Sequence, residues 1–316
     1  MRILVVGAGA TGGFFGGRLA QAGRDVTFLV RPARARLLRE RGLRLTGAGP
    51  DQVFQPSLVT SDRLERPFDL VLVTPKARGL PQAIADVAPA VGPRTLVLPF
   101  LNGMAHIDAL NARFGSEAVL GGVVKVHATL DDAGDVRLLG PLSELVLGEQ
   151  RAGLIPRVEE VRRELDVPGF DVVVAPDILA AMWHKWVFIS TLGALTTLMR
   201  GNVGDVVAAG GAWLGSGLLA EASAVAEAAG HPLTERQVAG VEDSMTRKGS
   251  TDTASLYRDT AAGLPTEAEH ILGDLTARAR ALAVPTPLFD LAVLHLRVHE
   301  HQLAHRDEEQ QQPSVD

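Results

Sequence analysis

The hydrophobic pattern changes character part-way along the chain. Through about residue 98, short apolar runs alternate with amphipathic stretches. The runs at 2–6, 25–30, 69–73 and 95–98 read as buried strands, and 12–22, 32–41 and 79–89 as helices. Such alternation builds a parallel sheet covered on both faces. Segments 43–46 and 53–60 read as an extended insertion around Gly47-Ala48-Gly49-Pro50. Over 118–129 and 135–148 apolar and polar positions alternate, with the turn Asp131-Asp132-Ala133-Gly134-Asp135 between them, so an antiparallel pair is expected to extend the sheet edge. A helix at 155–165 and a strand at 170–175 complete this region, and Pro176 marks its end. From Asp177 onward strand patterns vanish. Ala- and Leu-rich stretches at 177–199, 203–209, 212–230, 234–247, 252–262, 266–283 and 287–304 predict an all-helical second domain. The expected domains are 1–175 and 176–304. The polar tail 305–316 reads as disordered.

One turn organises the first domain. Gly7-Ala8-Gly9-Ala10-Thr11-Gly12 follows the first apolar run and opens a helix, with glycines spaced G-x-G-x-x-G. Gly7 permits a tight turn, Gly9 lets the backbone approach a pyrophosphate, and Gly12 lets helix and strand pack closely. The helix N-terminus then offers N–H groups and a positive dipole end to phosphate. The spacing alone also occurs in purely structural turns; the strands on both sides favour a Rossmann-type dinucleotide site. A strand at 25–30 then ends at Arg31, with Arg34 and Arg36 beyond it and no acid until Glu40. An NAD site usually places a carboxylate at this point for the ribose 2′-hydroxyl, whereas NADP needs a cation for the 2′-phosphate. A guanidinium suits that phosphate, so NADPH is the expected cofactor and Arg31 the expected reader. Some of these arginines serve only as a solvated helix face. Lys76 and Asn102 follow the third and fourth strands, where ligands of open α/β sheets lie. Taken singly, each also reads as an ordinary surface lysine or turn asparagine.

Length and composition narrow the rest. The 316 residues suit two domains with a sizeable core. A net charge of −6 gives no reason to expect a nucleic-acid partner. The absence of cysteine excludes disulfides and thiolate metal sites. The chain opens on a core strand, so no signal peptide is expected. The most apolar stretch, Trp186 to Met199, reads as too short to span a bilayer. A cytoplasmic protein without a membrane partner is the expectation.

The helical domain carries its own chemistry. Met182-Trp183-His184-Lys185-Trp186 places a lysine on an otherwise apolar helix, where burying its charge is costly. Either it snorkels to the surface or it serves a cleft as a general acid. Lys185, Ile189, Leu192 and Thr196 share one face, with Gly193 near its edge, and that face could look into an interdomain crevice. The partner candidate is Glu267 in Leu264-Pro265-Thr266-Glu267-Ala268-Glu269. There Thr266 and Glu269 fit a capping box. Glu267 is left for catalysis, although an exposed first-turn acid also suits a helix dipole.

These features together resemble the ketopantoate reductase (2-dehydropantoate 2-reductase) family. The resemblance rests on the opening Met1–Gly12, Arg31, Pro75-Lys76-Ala77, Leu101-Asn102-Gly103-Met104, Trp183-His184-Lys185, Thr266-Glu267-Ala268-Glu269 with Gly273, and Val284-Pro285-Thr286-Pro287. It implies a Rossmann domain joined to a helical domain resembling that of 6-phosphogluconate dehydrogenase. It also implies NADPH as hydride donor to a 2-oxo acid. The family's catalytic lysine falls on Lys185, which would hydrogen-bond and protonate the keto oxygen. The family's glutamate falls on Glu267, which would bind the substrate hydroxyl. Asn102 matches the asparagine near the nicotinamide and Lys76 the lysine close to cofactor and substrate. Ser255 falls, by its distance from the glutamate, on the serine that holds the substrate carboxylate. Two positions depart: the family's asparagines four and eight residues after the lysine are Ile189 and Gly193 here, and Arg200-Gly201-Asn202-Val203-Gly204-Asp205 is also altered. An apolar residue and a gap in place of polar contacts should change recognition. A less polar oxo-acid is therefore an alternative substrate, and a non-catalytic NADPH sensor a more distant alternative. No metal is expected. The histidine pairs 295/299 and 301/305 have metal-ligand spacing but read as a polar face of the last helix. The helical domain suggests dimerisation through its helices.

Overall fold

The computed structural model describes residues 1–47, 51–151 and 155–311. It divides into two compact units, Met1–Met182 and Trp183–Asp316. The first unit holds two sheets. One is wholly parallel, in the order β5 (Ser57–Val59), β2 (Asp25–Leu29), β1 (Arg2–Val6), β6 (Leu70–Val73), β7 (Leu96–Pro99). Its central strands are apolar at successive positions because both faces are covered. Helices α1 (Ala10–Gln21), α2 (Pro32–Arg41), α3 (Leu80–Val87) and α4 (Ala105–Phe114) connect or flank these strands.

The antiparallel pair is present as β8 (Leu120–Leu130) and β9 (Val136–Glu149), but it does more than extend an edge. It anchors a second sheet in the order β10 (Asp171–Val174), β9, β3 (Leu43–Thr46), β4 (Gln52–Phe54), with β8 on β9. A single bridge, Val97 to Val119, links β7 to the residue before β8. The stretch read as an insertion is therefore divided. β3 and β4 join the second sheet, and β5 joins the edge of the first. A helix, α5 (Ile155–Leu165), precedes β10. Residues 48–50, at the centre of that stretch, lie outside the described residues.

Helix α1 lies between the sheets, which explains its composition. A Cβ at Gly16 would press on Phe28 and Val5 of the parallel sheet, and one at Gly13 on Val136 of β9. Phe15 is buried among Phe14, Phe100 and Phe170, at ring-centroid distances of 5.0, 5.1 and 4.7 Å. Truncating so central a ring to alanine typically costs about 3–5 kcal/mol. This packing fixes the helix whose N-terminus follows the glycine turn.

The second unit is helical. It contains most of α6 (Ile178–Met199), then α7 (Val203–Ala208), α8 (Ala212–Ala228), α9 (Glu235–Thr246), α10 (Ser255–Ala261), α11 (Asp274–Ala281) and α12 (Pro287–Gln311). A π-helical turn, Glu269–Gly273, precedes α11. α8 packs on α9, α11 and α12. Helix starts follow side-chain chemistry. Asn202 accepts from Asp205 N at α7, Thr234 and Gln237 form a capping box at α9, and the Glu221 carboxylate accepts from Leu288 N and Phe289 N at α12.

Three expectations are corrected here. α6 has 22 residues and is long and apolar enough to cross a membrane by length and composition alone, so the expected shortness does not hold. Of its most apolar window, 61% is buried inside the protein, and core packing accounts for that apolarity. α12 continues through His305 to Gln311 where a disordered tail was expected, because Arg, Glu and Gln are good helix formers. Residues 312–316 lie outside the described residues. Thr266 and Glu269 do not form a capping box. Thr266 N and Oγ1 bond Glu300 instead, at 2.6 and 2.8 Å, and the Glu269 carboxylate is engaged by Arg297.

Candidate active site

In the first unit, the carboxyl ends of three adjacent strands come level, with Val6 opposite Val73 and Val73 opposite Pro99. The glycine turn leaves β1 at this edge. Gly7 takes φ +96°, a conformation L side chains rarely adopt, and its N–H donates to Leu29 O at 2.9 Å. Thr74, directly after β6, sets its hydroxyl 2.8 Å from Val6 O and 3.2 Å from Gly7 O, sharing one proton between them. A Cβ at Gly12 would overlap Gly7 O and the Thr74 hydroxyl, so glycine is required there by close packing. Gly9 is different, with open space where its Cβ would be. It is the N-cap of α1, and no side chain caps that helix. The N–H groups of the first turn are thus left for an anion, and the open side of Gly9 lets that anion come close.

The end of β2 carries cations and no acid. Arg31 is exposed at the N-cap of α2, with Pro32 at N1 and no acidic residue in the first turn. Arg36 is also exposed. Arg34 is half-buried and donates from Nε and Nη2 to Ala8 O, at 3.2 and 2.9 Å. Burial lowers its pKa from the ordinary arginine value, with Asp135 opposing that effect. Lys76 is exposed just beyond β6, two residues after Thr74. Asn102 is half-buried beyond β7. Gly103 beside it has φ +78° and leads into α4. The structure therefore brings the turn, Thr74 and Asn102 to one strand-end edge. Thr74 was missed in the sequence; its signal was a β-branched hydroxyl directly after four buried apolar residues.

In the second unit, Lys185 is half-buried on α6 between buried Trp183 and Trp186. The Trp186 indole donates to Ile271 O at 2.9 Å. That bond ties the turn of α6 carrying Lys185 to the π-helical turn that begins two residues after Glu267, which is itself half-buried. Trp186 and the π turn, a feature frequent at functional sites, were not anticipated from sequence. Farther along the same face, Ile189 is half-buried and Gly193 buried. The gap expected at Gly193 is filled: a Cβ there would press on Leu256 Cδ1 of α10. Ala254 N lies 3.4 Å from Thr196 Oγ1, so the start of α10 rests against this end of α6. Ser255 is exposed at the first position of α10, between Ala254 and Leu256, which touch α6 at Thr196 and Gly193. Asn202 is committed to capping α7.

Among the described residues there is no group of three or more His, Cys, Asp or Glu that could hold a metal ion. His301 and His305 do meet, with Nε2 atoms 3.0 Å apart, on the exposed end of α12.

Comparison with known proteins decides the family. Residues 3–152 match the family described as Ketopantoate reductase PanE/ApbA, and 177–300 match Ketopantoate reductase PanE/ApbA C terminal. The chain belongs to the ketopantoate reductase family. It is 32% identical over 301 residues to the uncharacterized oxidoreductase YkpB of Bacillus subtilis, covering 95% of this chain and 99% of that protein. It is 26% identical over 321 residues to a 2-dehydropantoate 2-reductase of Mesorhizobium japonicum, covering 94% and 96%. A ketopantoate reductase structure from Ralstonia eutropha superposes with TM-score 0.85 at 26% identity, over 96% of this chain and 100% of that one. The fold is also that of D-mandelate dehydrogenase, solved with NADH and anilino(oxo)acetate, at TM-score 0.87 and 23% identity over 96% and 100%. As a ketopantoate reductase family member, the chain is an oxidoreductase acting on CH–OH groups. Its Rossmann-like parallel sheet, antiparallel extension and helical C-terminal unit are those of the family.

Proposed function

We propose that this family member uses NADPH to reduce a 2-oxo acid to the 2-hydroxy acid, with 2-dehydropantoate, reduced to pantoate, as its leading substrate. The observation that carries this reading is Lys185, half-buried on α6 and tied through Trp186 to the turn beyond Glu267. The first unit fits the cofactor: an uncapped helix start, an open Gly9 and an exposed Arg31 where an NAD site would have an acid.

When bound, NADPH supplies the hydride. Gly7 to Gly12, with Ala8, Ala10 and Thr11 between them, would offer backbone N–H groups to its pyrophosphate, Arg31 would pair with the 2′-phosphate, and Lys76 and Asn102 would hold its nicotinamide end. The Lys185 ammonium donates a hydrogen bond to the keto oxygen. As negative charge develops on that oxygen, the same Nζ passes its proton across, leaving a neutral amine and a neutral hydroxyl. Glu267 accepts from the substrate's hydroxyl, and Ser255 holds its carboxylate. Donation that strengthens as charge forms favours the transition state over the bound acid.

A second reading has its own observation. Ile189, half-buried, leaves apolar surface one turn beyond Lys185, and Leu256 closes off the position at Gly193. That surface suits an oxo-acid less polar than 2-dehydropantoate. The enzyme would act in the cytoplasm on a small molecule, without nucleic acid or membrane, and as a homodimer.

The test is NADPH oxidation by purified protein with 2-dehydropantoate beside a panel of bulkier 2-oxo acids. Turnover of 2-dehydropantoate is the expected result. Turnover of an apolar oxo-acid alone selects the second reading. Tight NADPH binding with no turnover on the panel, by wild type and Lys185→Ala alike, would leave a binding protein and sink the proposal.

A further inference from the structure

Arg34 stands three residues past Arg31, in the first turn of α2, yet it does a different job. Both its Nε and one terminal nitrogen converge on a single acceptor, Ala8 O, inside the glycine turn. The Ala8 carbonyl and the Gly9 N–H belong to one planar trans peptide and point in opposite directions. Holding the oxygen therefore aims the N–H. Little else fixes this peptide: Gly9 has no side chain and meets only open space on its Cβ side, and glycine rotates more freely than any other residue.

The clamp is itself held from behind. Gly134, at φ +80°, leaves room for Arg34 Nη1, where a Cβ would collide with it and with Leu37. Asp135 next to it is 13% exposed and is paired with Arg41 at 3.1 Å and Arg44 at 3.3 Å. Its carboxylate also acts on Arg34. The β8–β9 turn, bound internally by Asp131 to Ala133 N and Asp135 N, thus backs the guanidinium that holds the pyrophosphate turn.

We propose that Arg34 is a positioning residue that presets the Gly9 N–H for the pyrophosphate, serving NADPH and NADH alike, while Arg31 reads the 2′-phosphate. The inference rests on the dinucleotide reading above. It separates two neighbouring arginines by function, one for affinity to any dinucleotide and one for choice between them.

The experiment titrates NADPH and NADH, by nucleotide fluorescence, into wild type, Arg34→Met, Arg34→Lys and Arg31→Ala, with a thermal melt of each. Arg34→Met should weaken both nucleotides by a similar factor, about tenfold or more, the range for a charge-assisted pair of hydrogen bonds. Arg34→Lys should recover only part of that, because an ammonium cannot supply a planar fork. Arg31→Ala should weaken NADPH by a comparable factor and leave NADH within about twofold. A loss confined to NADPH in Arg34→Met would overturn the proposal, since Arg34 would then read the 2′-phosphate. A lowered melting temperature with both affinities kept would also overturn it, reducing Arg34 to scaffold. If Arg34→Met fails to fold, Arg34→Lys carries the same comparison. Wild type that binds neither nucleotide would defeat the dinucleotide reading itself, and this inference with it.

Discussion

The candidate functional residues of the two units are made of different material. In the first unit the proposed binding surface is backbone: an uncapped helix start, a glycine at positive φ and an open Gly9, with side chains such as Thr74 and Arg34 bracing the turn from behind. In the second unit the proposed chemistry lies in side chains, Lys185 and Glu267, and the backbone is the brace, through the Trp186 bond to Ile271 O. A backbone site tolerates little change in local sequence, because the glycines are required by geometry. A side-chain site can keep its reacting groups while the surrounding face is rebuilt. The proposed site on α6 would follow that pattern, with Lys185 beside Ile189 and a Gly193 covered by Leu256.

The largest expected effect tests whether the halves are separable. Lys185→Ala should lower kcat by about 10²–10⁴-fold, the usual contribution of a positioned general acid, with NADPH affinity within about twofold of wild type. Next, Gly12→Val should abolish NADPH binding and destabilise the fold by about 1–3 kcal/mol, because the added carbons overlap Gly7 O and Thr74. Calorimetry and nucleotide titration on the same preparation check both parts. A smaller effect belongs to the brace. Trp186→Phe removes the donor to Ile271 O and should cost about 1–3 kcal/mol, lowering kcat while leaving the NADPH dissociation constant unmoved; a shift in that constant instead would join what this comparison separates.

The smallest effect concerns the ion pair behind the π turn. The Arg297 guanidinium holds the Glu269 carboxyl below the ordinary glutamate range. A depressed folded pKa contributes stability above the unfolded value, and that contribution is lost as pH falls through the folded value. Both side chains are more than half exposed, so Arg297→Ala should cost less than about 1 kcal/mol at neutral pH. The difference in melting temperature between wild type and variant should shrink in acid.

How much of this was legible beforehand follows from the same contrast. The glycine turn, the parallel strands and the arginine after β2 lie within a short span, and local spacing carries them. The second sheet was not legible, because its β3–β9 contact pairs Leu45 with Val136 across a long stretch of chain. The capping box at Thr266 misled for a similar reason: Glu300 and Arg297, both on α12, take the two partners away. Filling at Gly193 also depends on a distant residue, Leu256. The disordered-tail expectation weighed polarity and overlooked helix propensity in 305–311. Lys185 and Glu267 stood out as polar residues in odd company, each with a catalytic and a plainly structural reading, and only family resemblance chose between the two.

The most direct test of the central claim is a single-turnover measurement of NADPH oxidation by wild type and Lys185→Ala, each saturated with NADPH and given the best 2-oxo acid of the panel. The account predicts equal cofactor binding and a hydride-transfer rate lower by at least about a hundredfold in the variant. Equal rates in the two proteins would contradict it and remove Lys185 from the chemistry.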